Sequence, residues 1–120
     1  MCEFQYKINE EWRVRVIFDS LREKSLTKCK MKVYFNNELI YTGLGISFCM
    51  PEDEWSNAKG RKWAFIDAIR NTMPRKSQAT VRKELQREYV RQEKKWANEL
   101  VVIAMNENIK VMAKRSQNKE

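Results

Sequence analysis

Between Tyr41 and Asn71 the chain changes its hydrophobic period from two to about 3.6, which limits it to folds in which sheet hands over to helix. Tyr41-Thr42-Gly43-Leu44-Gly45-Ile46-Ser47-Phe48-Cys49 alternates as a strand with one buried face does. Met50-Pro51-Glu52-Asp53-Glu54-Trp55 and a short linker follow, and Gly60-Arg61-Lys62-Trp63-Ala64-Phe65 then opens an apolar helix. Leu44, Ile46 and Phe48 are expected to share one strand face. Gly43 and Gly45 lie opposite them or at edge positions, which predicts a bulge or a close backbone approach.

The residues before this junction read as antiparallel strands. Phe4, Tyr6 and Ile8 alternate with polar residues, as do Trp12, Val14, Val16 and Phe18, with Arg13 and Arg15 on the opposite face. Asn9-Glu10-Glu11 predicts a hairpin turn, and Asp19 to Thr27 reads as a polar loop. Cys29, Met31, Val33 and Phe35 then alternate with Lys28, Lys30, Lys32 and Tyr34. Asn36-Asn37-Glu38 supplies the next turn, since Asn tolerates the left-handed backbone of tight hairpins.

The residues after the junction read as helix. Pro51 suits a first helical position, with Glu52, Asp53 and Glu54 as an acidic first turn. Ser56 to Gly60 is expected to form a break or corner. Trp63, Phe65, Ile66, Ala68, Ile69 and Met73 then keep a helical period until Pro74 ends it. Ser77 and Thr80 are candidate caps for a second, long helix striped by Val81, Leu85, Tyr89, Gln92, Trp96, Leu100 and Ile103. A second stripe of Val102, Met105, Ile109 and Met112 follows. If unbroken from Ser77 to Lys114, this helix is roughly 57 Å long. It then either breaks near Ala97-Asn98 or projects toward a partner. The expected class is α+β: an N-terminal antiparallel sheet of about four strands, then two C-terminal helices, the last one long. The chain is expected to be a single domain over 1–120, with the sheet in 1–50, helices in 51–115 and a tail over 116–120.

Composition narrows the chemistry. The absence of histidine removes the commonest general base and metal ligand together. Cys2, Cys29 and Cys49 are odd in number and widely spaced, which argues against a structural zinc site and for reduced thiols in a cytoplasmic protein. No cofactor, metal or catalytic residue is implied, so a non-enzymatic protein is expected. No apolar run approaches the roughly 20 residues of a membrane span, and the N-terminus lacks a signal-peptide pattern. The net charge of +8, from 24 Lys and Arg against 16 Asp and Glu, directs attention to anionic partners.

Two places concentrate that charge. Gly60, Arg61 and Lys62 put cations at the expected start of a helix, where free N–H groups and the helix dipole favour an anion. The competing explanation is a surface network with Glu52, Asp53 or Glu54. The other place is the strand face bearing Arg13 and Arg15 beside Lys28, Lys30 and Lys32. It offers a backbone-binding surface for nucleic acid, with Tyr34 or Tyr41 to stack a base. Its competing explanation is a solvated sheet face, although like charges placed opposite one another would repel. A third basic run, Arg82-Lys83, Arg87, Arg91 and Lys94-Lys95, is interleaved with Glu84, Glu88 and Glu93 and reads as a solvated helix face.

Gly43-x-Gly45, Cys49-x-Pro51-x-Asp53 and Gly60-Arg61-Lys62-x-Ala64 resemble segments of small accessory proteins encoded by bacteriophages. In size and element order the chain is similar to the Thoeris anti-defence family of nucleotide sponges. The resemblance covers roughly Tyr41 to Asn71. It implies a counter-defence protein in the host cytoplasm that sequesters an anionic cyclic-nucleotide signal. The ligand would lie at a homo-oligomer interface lined by Gly60, Arg61, Lys62, Arg13 and Arg15, with the C-terminal helix as the oligomer contact. The alternatives are a basic nucleic-acid-binding module using Lys28, Lys30, Lys32 and Tyr34, and a protein inhibitor of a host defence enzyme docking through the helix around Trp96.

Overall fold

The computed structural model describes residues 2–73 and 79–117; in the last helix the described side chains are those of 79–99 and Met105. Four antiparallel strands, β1 (Cys2–Lys7), β2 (Trp12–Leu21), β3 (Leu26–Phe35) and β4 (Glu38–Phe48), pair in simple sequence order, and helices α1 (Asn57–Thr72) and α2 (Ala79–Gln117) follow. The fold is the α+β arrangement expected from the change of period.

The turns obey local chemistry. Asn9 Oδ1 accepts hydrogen bonds from the N–H groups of Glu11 and Trp12, each at 2.8 Å, and so closes the first hairpin. Asn36 and Asn37 close the third with φ of 49° and 66°. The polar segment from Asp19 to Thr27 is mainly strand and not loop. Asp19 pairs with Lys28, Ser20 with Thr27 and Leu21 with Leu26, and only Arg22–Lys24, a single 3-10 turn, and Ser25 leave the ladder. Opposed charges and matched leucines extend the ladder into residues whose polarity had signalled a loop. The irregularity in β4 is at Ile40, opposite the Val33/Tyr34 step, and not at the glycines.

The inner sheet face holds the core: Phe4, Val14, Val16, Phe18, Cys29 and Met31 are buried against Ala64, Phe65, Ala68 and Ile69 of α1. The Phe65 ring meets Phe4 and Phe18 at centroid distances of 6.4 and 6.5 Å. Helix α1 approaches so closely because small residues meet small residues. A Cβ at Gly45 would overlap the Ala64 carbonyl and Ala68, and one at Gly60 would overlap the Thr27 hydroxyl. The close-approach reading of the glycine strand is therefore correct. Gly43 and Gly45 point inward, while Leu44 and Phe48 point out, 43% and 70% exposed.

Helix α1 starts earlier than its apolar run suggested. Ser56 is its cap, accepting from Lys59 N–H at 3.3 Å, and Gly60 N–H already donates to the Ser56 carbonyl at 3.0 Å. Pro51 and the acids Glu52 to Glu54 form a turn, not a first helical turn. The Cys49 thiol, within hydrogen-bonding reach of the carbonyls of Met50, Asp53 and Glu54, holds that turn to the end of β4. The helix ends at Thr72. Met73 is extended, as a residue before proline must be, while Pro74 and the candidate cap Ser77 lie outside the described residues.

Helix α2 runs without a break at Ala97-Asn98 and has Thr80 inside it, not at its cap. The chain divides into two compact units, Met1–Glu88 and Tyr89–Glu120, where one domain was expected. The second unit is the distal part of α2. In the first unit Leu85 is fully buried and Val81 walls a cavity with Trp12, Val14 and Val33. In the second, Val90 and Met105 are about half exposed, and Leu100, Val102, Ile103, Ile109 and Met112 lie outside the described side chains. The tail expected from 116 is helical through Gln117, and 118–120 lie outside the described residues.

Candidate nucleic-acid interface

Strand register determines which cations meet. Across the outer sheet face one row carries Lys7, Arg13 and Tyr34, and the next Gln5, Arg15, Lys32 and Thr42. A third carries Glu3, Ile17, Lys30 and Leu44, and a fourth Asp19, Lys28 and Ile46. Six cations thus face two acids, Glu3 and Asp19, on one surface. Helix α1 does not cover it, because α1 lies against the glycines on the other side.

Register removes only part of the expected repulsion. Arg13 stands opposite Lys7 on β1 and Tyr34 on β3, with its guanidinium 4.6 Å from the Tyr34 ring centroid. Lys28 faces Asp19. Two pairs of like charges are directly opposed, Lys7 with Arg13 and Arg15 with Lys32, and Arg15 donates to Glu3 Oε2 through Nη2 at 2.7 Å and Nε at 3.2 Å. That bond raises the Arg15 pKa further and keeps the guanidinium charged. Among the described residues no hydrogen bond or ion pair engages Lys28, Lys30 or Lys32. Strand pleating makes three of the interface cations successive outward residues of β3.

Apolar side chains share this surface. Ile17, Leu44, Ile46 and Phe48 extend outward beside the lysines, and Leu21 and Leu26 pair beneath Phe48. These apolar positions were not foreseen as part of a site. The overlooked signal was the pair Ala64 and Ala68, small residues that meet Gly45 and require it to face the helix.

The proposed small-anion residues do not converge in this chain. Gly60 and Lys62 border a cleft of about 460 Å³, together with Thr27, Phe48, Asp53, Trp55 and Trp63. Arg61 is nine-tenths buried and lines a different cavity of about 380 Å³ with Cys2, Asp19 and Asn57. Arg13 and Arg15 lie on the outer face of the sheet. The reason is the earlier helix start, which moves the open N–H groups to the Asn57–Lys59 turn and leaves Gly60 to Lys62 within the helix. By contrast Lys28, Lys30, Lys32 and Tyr34 do stand together, and Arg13 and Arg15 join them.

No protein-family model, curated protein or solved structure matches the chain. Among the described residues no group of His, Cys, Asp and Glu is placed to hold a metal ion, and no helix is long and apolar enough to cross a membrane. The three cysteines are free thiols.

Proposed function

We propose that this protein is a non-enzymatic, cytoplasmic module that binds nucleic acid through the outer face of its sheet. The observation that carries this reading is the gathering of Arg13, Arg15, Lys28, Lys30, Lys32 and Tyr34 on the sheet face opposite α1 by strand register. A rigid sheet holds cations at fixed spacing for phosphates, and adjacent aromatic and aliphatic side chains pack on sugars and bases. Neutralised phosphates release counterions, so affinity should fall with salt at a log–log slope of roughly −3 if three or four phosphates are engaged. Alanine at Lys28, Lys30 and Lys32 together should weaken binding to all sequences alike and bring the slope toward zero. Binding without salt dependence, or a triple variant with an unchanged slope, contradicts the reading.

Capture of a small anionic nucleotide by a homo-oligomer joined through its C-terminal helix is a second reading. It is favoured by the cleft that Gly60 and Lys62 border. Native mass spectrometry of protein from cells with active nucleotide-signalling defence separates the two. A closed oligomer with bound ligand mass supports capture, and bare protein that shifts only on adding DNA or RNA supports the module.

A further inference from the structure

The cleft at the end of β4 has a composition that the sheet face does not account for. Its walls are aromatic. Phe48 is 70% and Trp63 56% exposed, and the Trp55 indole is fixed by donating from Nε1 to Asn57 Oδ1 at 2.8 Å. Large aromatic side chains left this exposed around one concavity mark a binding surface. Thr27 lines the base of the cleft, fully buried, with its hydroxyl packed against Gly60.

The remaining groups define what enters. Asp53 and Glu54 accept hydrogen bonds, Lys59 and Lys62 donate them, and the Lys62 ammonium sits 5.3 Å from the Trp63 ring centroid. Mixed donors and acceptors between flat aromatic walls suit a flat, neutral, polar heterocycle better than a bare anion. The volume of about 460 Å³ is within the roughly 300–1,000 Å³ of small-ligand pockets. Phe48 belongs to both surfaces, ending the outer face of β4 and walling the cleft.

We infer that this cleft takes one unpaired nucleobase of a single-stranded nucleic acid whose phosphate backbone runs over the sheet face. The inference rests on the nucleic-acid reading and specifies its partner as single-stranded. In a duplex the base is stacked and paired, and must be extruded to reach the cleft. In a single strand it is available, and aromatic stacking is indifferent to sequence.

Fluorescence anisotropy of the full chain with a labelled single-stranded 12-mer, and with the blunt duplex of the same sequence, tests this. The expected result is single-strand binding at least tenfold tighter than duplex binding. Trp63→Ala should cost roughly tenfold on the single strand, the scale of one lost stacking contact, and leave duplex binding unchanged. Preference for duplex, equal losses on both forms, or no effect of Trp63→Ala on the single strand overturns the inference. Failure of the sheet reading is distinguishable. If alanine at Lys28, Lys30 and Lys32 changes neither affinity while Trp63→Ala still removes single-strand binding, the sheet assignment falls and the cleft stands.

Discussion

Cys29 and Gly60 show how single positions are set by what packs over them. Burial pushes the Cys29 thiol well above its ordinary range, because its thiolate would be stranded in the core. The folded chain therefore keeps a proton that the unfolded chain releases above about pH 8.5. Stability attributable to this thiol is fully present below that pH and declines as pH rises, by at most about 1.4 kcal/mol per unit. Denaturant melts across the alkaline range should show this decline, and Cys29→Ala should flatten it while lowering stability overall. Gly60 offers a test with opposing terms. Alanine gains about 1 kcal/mol of helix propensity over glycine, yet its Cβ would overlap the Thr27 hydroxyl, and overpacking costs about 1–3 kcal/mol. Gly60→Ala alone should be destabilising, and adding Thr27→Ala should recover much of the loss in thermal melts. Additive effects would show that the two residues do not meet as described.

At the scale of elements, β4 is an edge strand whose exposed backbone is occupied by α1. Ile46 N–H donates to Asp67 Oδ2 at 3.0 Å, and the Leu44 carbonyl accepts from Asn71 Nδ2 at 2.8 Å. Asp67 and Asn71 stand one helical turn apart, so a single helix face protects two successive outward-facing groups of the strand. Asp67→Ala should cost about 1–2 kcal/mol, a fall of roughly 5–10 °C in Tm, and should raise the tendency to aggregate by edge pairing. An unchanged Tm and aggregation onset would remove this role. Elements are also where sequence legibility divides. The alternation in β2 and β3 was readable because each has one plainly apolar face, Val14-Val16-Phe18 and Cys29-Met31. In β4 the more apolar residues are the outward ones, and the inward positions are glycines whose lack of side chain is the packing device. Hydrophobicity then signals the wrong face. The start of α1 was misread for a related reason, since Ser56 is a strong cap but the turn after it, Asn57-Ala58-Lys59, has little apolar content.

For the whole molecule, the partition of faces organises function. The inner face is spent on the core and α1, and the second unit is helix over 89–117. The outer sheet face is left as a rigid, cation-bearing surface in the first unit, with the Thr27 cleft at one end. The candidate cations were legible as residues, and their grouping was not, because register alone decides that Arg13 meets Tyr34 and Lys28 meets Asp19. The most direct test of sheet-face binding is a ¹⁵N–¹H correlation spectrum of the full chain titrated with a short oligonucleotide. Binding by the sheet predicts that the progressive shifts concentrate in Arg13, Arg15, Lys28, Lys30, Lys32 and Tyr34, with α1 residues facing the core unmoved. Shifts confined to Ala79–Gln117, or none at saturating oligonucleotide, would contradict it.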